Sequence, residues 1–201
     1  MVFNIKGIKV EITFPFVAFV SFVILLDAPS NVLITVLSSM LHETGHLFTM
    51  ISLGNNPEKV RFELTGINII RNQEIAISTK NEILISLGGP LINAIMTAVC
   101  CIALPFYNNE KVLTFACINL ILMTFNLLPI KKLDGGRILY FLLSIKLDFM
   151  LCSKVLKITS LCFISIIFVW GIYIFVASSY NFSLIIIAVF LFISYFNDNE
   201  Y

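Results

Sequence analysis

The stretch VLITVLSSMLHETGHLFTMISL, from Val32 to Leu53, decides the fold. It is long enough to cross the apolar core of a bilayer, which takes about 20 mostly apolar residues. Yet His42, Glu43 and His46 stand in its middle. An ionisable side chain near the bilayer centre costs on the order of 2.5–3.5 kcal/mol, so groups found there are usually functional. Composition settles whether lipid is the solvent. The 201 residues are 59% hydrophobic and only 12% charged, with a net charge of +1, and the mean hydropathy is +0.98. Soluble domains carry about 25% charged residues, so this chain lacks the polar side chains to cover a water-facing surface. It reads as one membrane-embedded domain over 1–201. The near-neutral charge gives a nucleic-acid partner no support.

Working outward, the hydropathy pattern predicts an all-α polytopic membrane protein with six transmembrane helices. The spans run over about Ile12–Leu26, Val32–Leu53, Ile83–Phe106, Val112–Leu128, Ile158–Ala177 and Phe182–Phe196. The fourth breaks at Pro129 and resumes over Arg137–Ser144. Asp27, Pro29 and Ser30 after the first span offer no small-x-small cleavage site, so it reads as a retained helix. Charge sets the orientation. With six spans, every lysine and arginine except Lys111 falls on one side. Cytoplasmic loops carry such an excess, so both termini are expected in the cytoplasm. Between Pro57 and Ser78 the period changes. Val60, Phe62 and Leu64 alternate with Arg61, Glu63 and Thr65, which predicts a small cytoplasmic-side β-hairpin between the second and third spans. The five cysteines make no CxxC pair and read as small buried hydrophobes.

His42 and His46 are the chain's only histidines. Residues four apart share one helix face, so both imidazoles can reach one cation. Two histidines placed at random in 201 positions stand four apart only about one time in a hundred, and the glutamate between them completes HExxH, a zinc signature. Glu43 lies about 100° around the helix from His42, where it can act as general base on an attacking water without competing for the metal. Catalytic zinc takes three protein ligands and leaves a fourth position open. Topology selects the third. Asp27 and Glu110 belong to the opposite side, and Glu11, Glu82 and Asp148 stand at span ends without a supporting motif. Asp134 follows the fourth span on the cytoplasmic side, after Pro129 and before Gly135 and Gly136. Proline removes a backbone donor and glycine admits unusual dihedrals, the build of a helix opened to present a ligand. The expectation is one Zn²⁺ per chain on His42, His46 and Asp134, with the active site toward the cytoplasmic side.

At these residues the chain resembles the site-2 protease family of intramembrane metalloproteases. The resemblance rests on His42-Glu43-Thr44-Gly45-His46, on Asn126 and Pro129 through Leu133-Asp134-Gly135, and on the helix-breaking Gly88-Gly89-Pro90 with Asn93. It covers roughly Phe3 to Phe196. It implies hydrolysis of a membrane-tethered protein substrate in the bilayer, regulatory membrane proteins as further partners, and contacts of Asn126 and Asn93 with substrate backbone or oxyanion. A narrower likeness, in Phe125-Asn-Leu-Leu-Pro-Ile and Leu133-Asp-Gly-Gly-Arg-Ile-Leu, is to the stage IV sporulation protease that processes pro-sigma factor K. That subgroup usually carries a C-terminal nucleotide-sensing CBS domain; these 201 residues hold none, so the expectation is that nucleotide control is either absent or was removed with a truncation.

Two other classes compete. A transporter would spread polar groups along a path, whereas here they converge. A catalytically silent metal-binding or scaffold protein would have no use for Glu43 beside the histidines.

Overall fold

The computed structural model describes residues 2–5, 8–14, 30–63, 66–70, 77–107, 109–178 and 181–197. They form two compact units, Met1–Thr124 and Phe125–Tyr201.

The first unit holds a four-stranded sheet and the histidine helix. Strands β1 (Val2–Ile5), β2 (Ile8–Ile12), β3 (Lys59–Glu63) and β4 (Gly66–Ile70) lie in the order β1-β2-β3-β4. β1–β2 and β3–β4 are antiparallel, and β2–β3 is parallel. Parallel neighbours need a long crossover, and this one contains helix α1, Ser30–Ser52. The parallel register sets Glu11 opposite Arg61. The Glu11 carboxylate accepts a hydrogen bond from Arg61 Nε at 2.9 Å and pairs with Lys59.

Helix α2 (Thr79–Tyr107) packs along α1, and α3 (Glu110–Asn126) closes the unit. α1 and α2 meet almost backbone to backbone. A Cβ on Gly45 would stand 2.8 Å from the Gly88 carbonyl carbon, and one on Gly88 would stand 2.5 Å from Thr49 Oγ1. Small residues at such crossings are how membrane helices approach closely. Buried Asn119 on α3 donates to buried Ser38 on α1 at 3.0 Å. Interhelical bonds of this kind contribute about 0.6–2 kcal/mol in membranes.

The second unit contains the Pro129 loop, α4 (Asp134–Leu143), α5 (Phe149–Ala177) and α6 (Ser183–Asn197). Its core gathers Ile130, Ile164 and Leu191, with Phe125, Leu128, Leu133, Phe163, Ile167 and Tyr195 around them. The loop is therefore anchored at Ile130 and not left to solvent.

Several expectations need correction. The hairpin at Lys59–Ile70 is only half of a sheet. Ile8, Val10 and Ile12 alternate with Lys9 and Glu11, a strand pattern that was absorbed into the flank of the first span; Ile12 ends β2, and the rest of that span lies outside the described residues apart from Thr13 and Phe14. α2 stays helical through Gly88, Gly89 and Pro90, so no helix break stands there. Its glycines serve close packing. α5 begins nine residues before the expected Ile158, because the lysines and aspartate near its start resemble a loop in hydropathy alone. Of the cysteines only Cys152 is buried; Cys101, Cys117 and Cys162 are exposed. Among the described residues, two helices are long and apolar enough to span, Thr79–Phe106 and Phe149–Ala177. Only 22% and 17% of their apolar windows is buried, which fits a membrane protein.

The hydrogen bonds from Lys59 and Arg61 hold the Glu11 carboxyl below the usual carboxylate range. A lowered folded pKa stabilises the sheet above the unfolded value of about 4.3 and loses that effect as pH falls through the folded value. Amide protection in β2 and β3 is expected to stay flat from pH 6 to 8 and to drop on acidification. In Glu11→Gln the drop should vanish; hydrogen exchange by mass spectrometry checks it.

Candidate metal centre

α1 carries the Val32–Leu53 pattern as a helix, so His42 and His46 stand one turn apart. Both are buried. Their Nε2 atoms face each other at 3.2 Å, with the rings edge to face. Each Nδ1 is held from behind by α2. His46 Nδ1 lies 2.7 Å from the Ile85 carbonyl oxygen, and His42 Nδ1 lies 3.2 Å from the side-chain nitrogen of Asn93. The Gly89 N–H also approaches His46 Nδ1, at 3.3 Å. The shorter contact decides the tautomer. A bare nitrogen at 2.7 Å from a carbonyl would set two lone pairs against each other, so His46 Nδ1 carries the proton and donates. The His46 Nε2 lone pair then points at His42.

Whether zinc fits follows from the same distances. Two nitrogens 3.2 Å apart, each about 2.05 Å from one zinc, subtend about 103° at the ion, near the tetrahedral angle. Gly89 supplies the room. A Cβ there would collide with His46 Nε2 and would stand 2.7 Å from His42 Nε2. The helix wall facing the histidine pair is thus bare backbone, and any side chain would fill the ion's place. The histidine pair was legible in its spacing, but Gly89 facing it and Ile85 as its backbone anchor were not. Both depend on the α1–α2 crossing, which no local spacing reveals.

Glu43 is half-buried on α1 beside His42. In the second unit, Asp134 is buried and opens the first turn of α4, preceded by Leu133 in extended backbone. A carboxylate there faces the positive end of the helix dipole. The approach to it is a tight reversal: Ile130 N–H donates to Leu128 O, and Leu133 N–H donates to Ile130 O, both at 2.8 Å. Proline at 129 is tolerated in such a reversal, outside either helix. Gly135 and Gly136 let α4 lie on this loop. A Cβ on Gly135 would overlap the Leu127 carbonyl, and one on Gly136 the Ile130 carbonyl. Buried Ser160 on α5 accepts the Lys131 N–H at 2.9 Å and fixes the loop from below. Sequence reasoning missed Ser160, which looks like one more small residue in an apolar helix. Asn126 ends α3, half-buried.

His42, His46 and Asp134 are thus three buried side chains that each offer one ligand atom. Two imidazoles and a carboxylate are the donor set of a catalytic zinc. These features are those of a zinc site, and comparisons with known proteins point to zinc metalloproteases. The model of Peptidase family M50 matches residues 108–172, the part that contains Asn126 and Asp134. The chain is 30% identical over 165 residues to Zinc metalloprotease MJ0392 of Methanocaldococcus jannaschii, covering 76% of this chain and 48% of that protein. It is 28% identical over 116 residues to the Putative peptide zinc metalloprotease protein YydH of Bacillus subtilis, covering 55% and 46%. The chain thus spans about half the length of these curated relatives. The solved Site-2 Protease from Methanocaldococcus jannaschii superposes with a TM-score of 0.68 at 26% identity, over 100% of this chain and 95% of that one. Together these findings support membership of the site-2 protease, or M50, family, and zinc as the metal.

Gly89→Ala puts a methyl group where the ion would sit. Purified in detergent, it should keep wild-type helicity by circular dichroism and hold less than about a tenth of the wild-type zinc by elemental analysis, the size of effect seen when a metal site's surroundings are disturbed.

Proposed function

We propose that the chain is an intramembrane zinc metalloprotease, a single catalytic domain over 1–201 that cleaves a membrane-tethered protein. The observation that carries this reading is the buried Nε2–Nε2 pair on α1, with a glutamate beside it and no side chain at Gly89. Asp134 is the third ligand, and Zn²⁺ binds once per chain. Bound zinc supplies Lewis acidity to an attacking water and to the scissile carbonyl. Glu43 takes the proton of that water and returns it to the leaving amine. Asn126 donates to the substrate backbone or to the oxygen that gains charge. The ligand histidines need rigid backing, and Ile85 and Asn93 provide it.

A helical substrate hides its carbonyls in its own hydrogen bonds and must be unwound before water can attack. An extended substrate can be held as an added strand. β3 has neighbours on both sides, so the outer strands β1 and β4 are the candidates. β4 continues the β3 hairpin and contacts α1, which makes it the edge assigned here. The excess of basic residues on one side favours a cytoplasmic active site, with the bilayer and regulatory membrane proteins as the chain's proposed partners. The narrower sequence likeness makes a sporulation pro-sigma factor the first substrate to test.

In co-expression with such a substrate, Glu43→Gln should retain zinc and lose cleavage by at least about a hundredfold, the scale of a lost general base. Asp134→Asn should lower zinc retention. A Glu43→Gln variant that cleaves normally would remove Glu43 from the mechanism. Separately, single prolines within Gly66–Ile70 should abolish cleavage at the outward-facing positions while zinc content stays constant. Cleavage insensitive to proline throughout β4 would remove the strand-edge role.

A further inference from the structure

Helix α5 is longer than a bilayer's apolar core requires. Its 29 residues rise about 43 Å, close to the full thickness of a membrane with its headgroups, about 40–45 Å. The part from Lys157 to the last residue, Ala177, rises about 30 Å, which matches the hydrocarbon core alone. With Ala177 at the far edge of that core, Lys157 stands at the near edge. Lys154 then stands about 4.5 Å further out, at the depth of the headgroups. Both lysines are exposed, and neither makes an ion pair among the described residues.

The lysines share a face with something apolar. By the helical step of about 100°, Lys154, Lys157, Ile158, Leu161, Ser165 and Phe168 fall within an arc of about 100° on α5. Ile158 and Leu161, next below the lysines, are exposed. Below them a groove of about 290 Å³ opens between α5 and α6, lined by Ser165, Phe168 and Val169 on one side and Ala188, Val189 and Phe192 on the other. The Ser165 hydroxyl donates to the Leu161 carbonyl at 2.8 Å, so its polar group is already satisfied. The groove is smaller than the roughly 300–1,000 Å³ of a small-molecule pocket. Its α5 wall, Ser165–Val169, lies about 12–18 Å below Lys157 along the axis. One leaflet of the core ends at about 15 Å.

We propose that this face of the second unit binds one anionic phospholipid, from the leaflet at the amino-terminal end of α5. Its phosphate lies between Lys154 and Lys157, and one acyl chain runs over Ile158 and Leu161 into the α5–α6 groove. Charge selects the occupant. Two ammonium groups at headgroup depth favour a lipid of net negative charge, each contributing about fivefold in affinity. The apolar continuation selects lipid over a free anion, which would leave Ile158, Leu161 and the groove without a role. Lysine stems suit the position, since they cover apolar surface and keep the charge at the interface.

The experiment uses the whole chain reconstituted in phosphatidylcholine vesicles containing phosphatidylglycerol, with one lipid or the other brominated on its acyl chains. Trp170 is the chain's one tryptophan, and it stands about 160° around α5 from Lys154. Wild type therefore reports the opposite face. Phe168→Trp with Trp170→Phe moves the reporter into the groove. Quenching of the groove reporter should show at least about a fivefold preference for phosphatidylglycerol, whereas Trp170 should show less than twofold. Lys154→Gln with Lys157→Gln should bring the groove reporter within twofold, and Lys111→Gln, at the start of α3, should leave it unchanged. Added glycerol phosphate should not compete. Equal quenching of the groove reporter by both lipids would overturn the proposal and leave the lysines to an acidic protein segment. A preference that survives loss of both lysines, or that Trp170 shows equally, would overturn it as well.

Discussion

Two membrane helices can share a buried polar centre only where their backbones come close enough for one helix to reach the side chains of the other. Here that closeness comes from Gly45 on α1 and Gly88 on α2, where a Cβ on either would run into the partner helix. The rest of the centre depends on it. The crossing brings the Ile85 carbonyl to His46 and the Asn93 amide to His42, and it leaves Gly89 facing both Nε2 atoms. No water is available in a bilayer core to satisfy displaced polar groups. The polar atoms of α1 therefore find partners on the neighbouring helices, at Ser38–Asn119 as well as at the histidines.

The Pro129 loop obeys a different rule. Irregular backbone at membrane depth is tolerated only when buried in protein or lining a cavity. The loop is buried in protein, as that rule would require of it. Ile130 is fully buried in an apolar cluster, Lys131 is tied to Ser160, and the paired glycines let α4 rest on the carbonyls of Leu127 and Ile130. Asp134 emerges from this support as a buried carboxylate at a helix start. It is held by backbone geometry and not by a flexible linker.

What the sequence made legible follows the range of each signal. HExxH is a local pattern with a fixed angular meaning on a helix, so the shared face of His42 and His46 was readable, as was the break near Pro129. Hydropathy located α1, α2, α3 and α6 to within a few residues. It failed where charge and secondary structure part company. The charged start of α5 looked like loop, and the short strands β1 and β2 looked like the approach to a span. The glycines at 88 and 89 could be read equally as helix breakers or as close-packing contacts, because in sequence a residue that bends a helix and one that admits a neighbouring helix are the same letter. Ile85, Ser160 and the sheet order were out of reach for a common reason: each acts through a partner distant in the chain, and backbone carbonyls have no signature.

The most direct test of the account is zinc-edge X-ray absorption on the purified chain in lipid. The account predicts one zinc per chain, coordinated only by nitrogen and oxygen, with two imidazoles at about 2.0–2.1 Å and the remaining donors oxygen. Sulfur in the first coordination sphere at about 2.3 Å, or fewer than two imidazoles, would contradict it.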